Sequence, residues 1–161
     1  MKRSTEMQRL IYMYREQTGE NSVTMQDVAK FAVGKGWPLP KPKSAIELLS
    51  EQFAQAARED YRKDEVTGRP YRANLAVVIN QGKPGEQYTL WTDIDAAPKP
   101  IAKKAFQQRR EQMVGDAVHL SDDVDHWNRV NPNEEPITTE LDFGPDVEWR
   151  RNAPDQDEEA A

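Results

Sequence analysis

The only histidines of this chain, His119 and His126, fall in the segment HLSDDVDHW, and their spacing raises metal chemistry first. If one helix ran through the segment, His119, Asp123 and His126 would share a face at steps of four and three, with Asp122 beside them. Imidazole and carboxylate donors so placed suit a divalent transition metal. A local reading competes. Ser121 followed by Asp122 and Asp123 has the form of a helix start, because a hydroxyl can accept from first-turn N–H groups and carboxylates favour the positive end of a helix. A start there leaves His119 outside the helix and dissolves the triad, so neither a metal nor any other cofactor is assigned.

Other reactive arrangements find no footing. The chain has no Gly-rich loop followed by Lys-Ser or Lys-Thr to cradle a phosphate, and no nucleophile elbow around a serine. Cysteine is absent, which excludes a thiolate nucleophile, a disulfide framework and a Cys-based zinc site. The sequence therefore reads as a binding protein and not as an enzyme. Its first apolar run, in MKRSTEMQRLIYMYREQ, is broken by charges, unlike a signal peptide, and no stretch reaches membrane-spanning length. A cytoplasmic protein without membrane contact is expected.

Charge is distributed unevenly. Residues 1–110 carry 19 Lys plus Arg against 13 Asp plus Glu, whereas residues 111–161 carry 3 against 15, so a net of −6 hides a basic body and an acidic C-terminal part. A basic body suits a polyanionic partner, and an acidic segment of the same chain is placed to compete for that surface at low ionic strength. With 161 residues and 37% apolar content, one compact domain plus some surplus is expected.

Local signals supply the elements that would carry these charges. Met7, Leu10, Ile11 and Tyr14 recur at helical spacing between a capping Ser4 and a terminating Gly19, giving a helix to about Thr18. Thr24 can cap a second helix by accepting from Asp27 N–H, with Val23 and Val28 as a hydrophobic staple and Met25, Val28, Ala29 and Ala32 facing inward. The connector WPLPKPK cannot be helical, because each proline lacks an N–H and restricts the residue before it. Ser44 and Glu47 then form a capping box opening a third helix through about Lys63, with Ile46, Leu49, Phe53, Ala57 and Tyr61 along one side. RPYRANLAVVI and EQYTLWTDI follow with strand periodicity, joined by NQGKPGE, which predicts an antiparallel pair over roughly residues 71–94.

This order of helix, helix, helix and hairpin over residues 4–94 resembles a winged helix-turn-helix domain, and VTMQDVAKFA resembles the scaffold helix of helix-turn-helix proteins. The connector is longer than the usual tight turn. The resemblance implies an α+β fold, a third helix that enters the major groove of double-stranded DNA, and a hairpin wing that reaches the backbone. Carried onto this sequence, it nominates Lys41 and Lys43 of the connector, Gln52, Gln55, Arg58 and Arg62 of the third helix, and Arg69, Arg72 and Lys83 of the hairpin. Gln and Arg can pair with base edges, while Lys suits phosphate. Glu47, Glu51 and Glu59 on the same helix would oppose phosphate.

Beyond the hairpin, AAPKPIAKKAFQQRREQMVGDAVHL predicts a fourth helix with Ile101, Ala105, Phe106 and Met113 inward and a basic outer face that extends the binding surface or joins a homodimer. From Asn131 the chain turns acidic and Pro-rich, with no helical period. Ile137, Leu141, Phe143, Val147 and Trp149 make residues 136–149 an extended arm able to dock on the body or on a protein partner, and the last ten residues are expected to be flexible alone. The expected organisation is a winged-helix domain over 1–95, a C-terminal helical extension over 96–130 and an acidic arm over 131–161. The expected function is that of a DNA-binding transcriptional regulator. RNA binding is compatible with the same basic surface, and a winged-helix protein interaction module is the rival from a different class.

Overall fold

A computed structural model of the chain describes residues 2–80, 82, 85 and 87–153. The fold is mixed α+β, and the chain divides into two compact units, residues 1–53 and 54–161.

The first unit holds α1 (Arg3–Thr18), α2 (Met25–Gly34) and the start of α3 (Ala45–Glu59). Gly19 ends α1 with φ of 74°, a left-handed conformation that glycine adopts without steric penalty, and its N–H reaches the Arg15 carbonyl at 2.8 Å. The start differs from expectation: Lys2, not Ser4, occupies the cap position, and no side chain caps it. On α2 the expected cap is present, with Thr24 Oγ1 accepting from Asp27 N–H at 3.2 Å. Val28 and Ala32 are buried, but Met25 and Ala29 face solvent. The inward position belongs instead to Phe31, whose ring meets Tyr14 of α1 edge-on at 5.3 Å. The capping box of α3 is reciprocal: Ser44 N–H donates to Glu47 Oε2 at 2.7 Å, and Glu47 N–H donates to Ser44 Oγ at 3.2 Å. These bonds hold the Glu47 carboxyl below its ordinary value, Ser44 backbone first. α3 buries none of its residues, so its apolar stripe of Ile46, Leu49 and Phe53 is open.

Among the described residues, the second unit contains the end of α3, two antiparallel hairpins and two further helices. α3 stops at Glu59, not Lys63, because Tyr61–Lys63 is claimed as a strand, β1, by β2 (Pro70–Arg72). Such pairing depends on residues seven to eleven positions away, outside the reach of helical periodicity. Asp64 shapes the intervening turn by accepting from the N–H groups of Val66 and Thr67 at 2.9 and 2.7 Å, while Gly68 takes φ of 69°. The apolar run expected as one strand therefore splits. Ala73, fully buried, marks the break, and β3 (Asn74–Asn80) pairs with β4 (Gln87–Asp93) in a register that sets Ala76 opposite Trp91.

The pleat decides what each face of this hairpin does. Leu75 and Val77 of β3 are buried against Ala105 of α4 (Lys99–Val130), with Ile79, Ile94, Ile101 and Ala102 around them. Gln108 of α4 also seals the outer edge of β3: its Nε2 donates to Val78 O and its Oε1 accepts from Val78 N–H, both at 2.9 Å. A side-chain amide here completes the bonds that a neighbouring strand would make. Phe106 and Met113, expected inward, are more than half exposed, because α4 turns the 101–105–108 stripe toward the hairpin.

α4 runs for 32 residues, about 48 Å at the usual rise. No new helix begins at Ser121. That residue is half-buried in mid-helix and lines an apolar groove with Val118, Leu141 and Phe143, so packing outweighs its preference for a cap. The arm folds back along this helix. Asn128 donates to Ile137 O at 2.8 Å and accepts from Ile137 N–H at 2.9 Å, which holds the extended stretch beside α4. The arm is not extended throughout: residues Gly144–Asn152 form α5, opened by Pro145 in its first turn and by Asp142, which accepts from Gly144 N–H at 3.1 Å. Lys83 and residues 154–161, the greater part of the tail expected to be flexible, lie outside the described residues.

Because Val77 is wholly enclosed, Val77→Ala should lower the thermal stability of residues 54–161 by about 1–3 kcal/mol. Gln108→Ala should cost about 0.5–1.5 kcal/mol and selectively speed amide exchange at Val78. Unchanged Val78 exchange in that variant would contradict the edge seal.

Candidate nucleic-acid interface

The face of β3–β4 turned away from the buried Leu75 and Val77 carries Ala76, Val78, Thr89 and Trp91. α3 delivers Arg58 onto this face, its guanidinium 5.3 Å from the centre of the Trp91 ring. Planar cation on planar ring is a favourable pairing that also fixes both groups. Asn74 anchors the end of α3 nearby, donating to Ala57 O at 3.2 Å.

The β1–β2 hairpin forms the second wall. Arg72 Nε donates to the Tyr61 hydroxyl at 3.3 Å, placing a cation and an aromatic ring side by side. From α4 come Lys104, Phe106 and Arg109, and together these residues line an open groove of about 1090 Å³. Among the described residues, four cations there face a single lining carboxylate, Glu111. The arrangement can hold a chain of negative charges at its rim and flat apolar groups on its floor.

An ion-pair cluster braces the walls. Arg62 Nη1 donates to Asp93 Oδ1 at 3.1 Å and to Asp95 Oδ2 at 2.5 Å, and Nη2 donates to the other oxygen of Asp93. The Asp93 carboxyl is held at about 2 by Arg62 first and by the Asp95 N–H second. Arg62 is raised above its ordinary value by the same partners. Tyr71 donates to Asp95 at 3.2 Å and is pushed up, first by burial and then by that carboxylate.

The nine residues nominated from the sequence are dispersed. Arg58 and Arg72 meet in the groove. Arg62 does not: its guanidinium is committed to Asp93 and Asp95, which makes it a brace between strands. Arg69 is exposed at the end of the β1–β2 turn. Gln55 donates to Glu59 one turn along α3. In the first unit Lys43 is ion-paired with Glu51, while Lys41 and Gln52 are exposed. Lys83 lies outside the described residues.

Trp91, Tyr61 and Phe106 were not nominated. Period-two alternation places Trp91 opposite Ala76 on one face, but does not reveal which face α4 covers. One helix does pass through His119, Asp123 and His126, yet among the described residues no group of three or more His, Asp or Glu side chains converges to hold a metal. His126 Nδ1 instead accepts from Arg129 at 2.9 Å. No helix among the described residues is long and apolar enough to cross a membrane.

No family model matches this chain, and no curated protein or solved structure was found to be similar to it.

The Asp93 shift has a signed consequence. Its folded value lies below the ordinary aspartate value of about 3.9, so the brace contributes fully above that pH and is lost as pH falls toward about 2. Carboxyl NMR titration should find Asp93 near that low value in the native chain and, in Arg62→Gln, moved back toward the ordinary one. An identical midpoint in both proteins would show that the brace does not form in solution.

Proposed function

We propose that this chain binds nucleic acid, with DNA as its ligand, and acts as a transcriptional regulator. The observation that carries this reading is the stacking of Arg58 on Trp91 in a groove that Arg72, Lys104 and Arg109 also line. Phosphate charge draws such cation clusters, and aromatic or guanidinium planes accept the faces of bases. The excess of basic residues over 1–110 supports the same partner.

The winged-helix form of the proposal rests on element order, α1 to α3 followed by the short β1–β2 hairpin and then the β3–β4 pair as wing. Within it the main contact moves from the middle of the third helix to the wing and Arg58, since Gln55 is paired with Glu59 and Arg62 with Asp93. A homodimer in the cytoplasm belongs to this reading as its simplest working form. One observation favours the rival interaction module: the open stripe of Ile46, Leu49 and Phe53 on α3 is the kind of surface that a protein partner covers.

Titration of labelled DNA with the full chain at increasing salt should give saturable binding that weakens with a log–log slope of about −3 to −4, as expected for roughly four phosphate contacts. The double variant R72A/K104A should weaken binding and flatten that slope by about 2. Absence of binding to both DNA and RNA at low salt would replace the regulator by the interaction module. The acidic arm should act as a competitor. Removing residues 132–161 takes away 10 acidic and 2 basic side chains, and should tighten binding at low salt with a gain that shrinks as salt rises. Equal affinity of the folded truncated and full-length chains at low salt would rule out such competition.

A further inference from the structure

We infer that the open face of the β3–β4 hairpin takes unpaired nucleotides, one base stacking on the Arg58–Trp91 platform while the flanking phosphates meet Arg72, Lys104 and Arg109. This rests on the nucleic-acid reading and specifies the ligand's form.

Three observations converge on it. First, the pleat gives the hairpin one covered and one uncovered side: Leu75 and Val77 are buried against α4, whereas Ala76 and Val78 are exposed. Ala76 is the cross-strand partner of Trp91, so the residue beside the indole is the smallest side chain after glycine and leaves a shelf for a flat group. Second, the groups on and around that shelf are planar. The Arg58 guanidinium lies 5.3 Å from the indole centre, and Tyr61 and Phe106 line the same groove. Duplex DNA offers its base edges and its backbone to a protein, while its base faces are occupied by neighbouring pairs. A planar floor is therefore of most use to a strand whose bases are free to splay. Third, the cations that line the groove come from two separate elements instead of one ridge: Arg72 from β2, and Lys104 and Arg109 from α4. A bent single strand can place successive phosphates on both sides of a stacked base, which a straight helical backbone cannot do.

The polar side chains that line this groove include Thr89, Asn74 and Gln112. Recognition by stacking and charge tolerates sequence, since every base presents a flat face. The ligand class is thus a short unpaired stretch of DNA or RNA: a free strand, a loop or a locally opened duplex.

The test compares a labelled oligothymidine single strand, a duplex of the same length and a duplex containing an unpaired internal loop, each titrated with the full chain. Arg58→Lys keeps the charge and removes the plane. It sits at an exposed position, so the fold should persist, and circular dichroism checks that it does. Native protein should bind the single strand and the looped duplex at least about tenfold more tightly than the perfect duplex. R58K should weaken the single-strand complex roughly 5- to 20-fold and leave the duplex complex within about twofold. Ultraviolet crosslinking of the single strand should recover the peptide containing Trp91. Equal affinities for single strand and duplex, with R58K affecting both alike, would overturn base stacking while leaving nucleic-acid binding intact. Failure to bind any of the three would remove both readings.

Discussion

A two-stranded hairpin is marginal in water by itself, and β3–β4 persists because α4 covers one of its faces. The contact is small in residues but complete in kind. Leu75 and Val77 give their apolar surface to Ala105 and its neighbours, and Gln108 satisfies the peptide group that the outer edge of β3 would otherwise present to solvent. Burial supplies the non-directional part of the stabilisation, while the Gln108 amide fixes where along the helix the strand must sit. The small side chain of Ala105 and the wholly enclosed Val77 meet in one apolar cluster. Helix and hairpin are thus specified together.

The same asymmetry creates the candidate interface. A sheet of two strands with one helix on it has a face left over, and this chain furnishes that face with Trp91 and the guanidinium of Arg58. Its walls are then held by ions. Arg62 on β1 gathers Asp93 and Asp95 at the end of β4, so the first hairpin is tied to the second at the point where the chain leaves for α4. These groups are more than a third exposed, and such pairs contribute modestly to stability in water. Their effect is on geometry: one guanidinium holds two carboxylates in place and offsets half of the charge with which they would repel a phosphate. α4 applies the amide device a second time, through Asn128 and Ile137, to hold the acidic arm beside its far half.

How much of this was legible in the sequence follows from how local each cause is. The caps at Thr24 and Ser44 and the left-handed Gly19 could be read directly, because each depends on residues within four positions. The antiparallel pair announced itself through alternation and a Gly-Pro loop. The end of α3 could not be read the same way: Tyr61 continues the helical stripe, and only the later arrival of Tyr71 and Arg72 as pairing partners converts it to strand. Ser121 misled for a similar reason, since the groove made with Leu141 and Phe143 keeps it helical. For the interface, the chemistry of Arg58 and Arg72 was visible from their types and elements. The removal of Arg62 was not, because its carboxylates lie 31 and 33 residues away. Trp91 was legible as a strand residue, but its place on the uncovered face was not until the face that α4 occupies was known.

The central claim is that the uncovered face of β3–β4, with Arg58 from the end of α3, meets the ligand, and not the stretch of α3 between Glu47 and Gln55. Backbone and indole NMR shifts of the full chain, followed during addition of a short single-stranded oligonucleotide, test it most directly. The account predicts that the largest changes fall on the Trp91 indole N–H, on Ala76 and Thr89, and on the Arg58 and Arg72 side-chain signals. Little change is expected at Leu75, Val77 or the α1–α2 pair. Changes concentrated on the exposed residues of α3 between Glu47 and Gln55, with Trp91 silent, would contradict it.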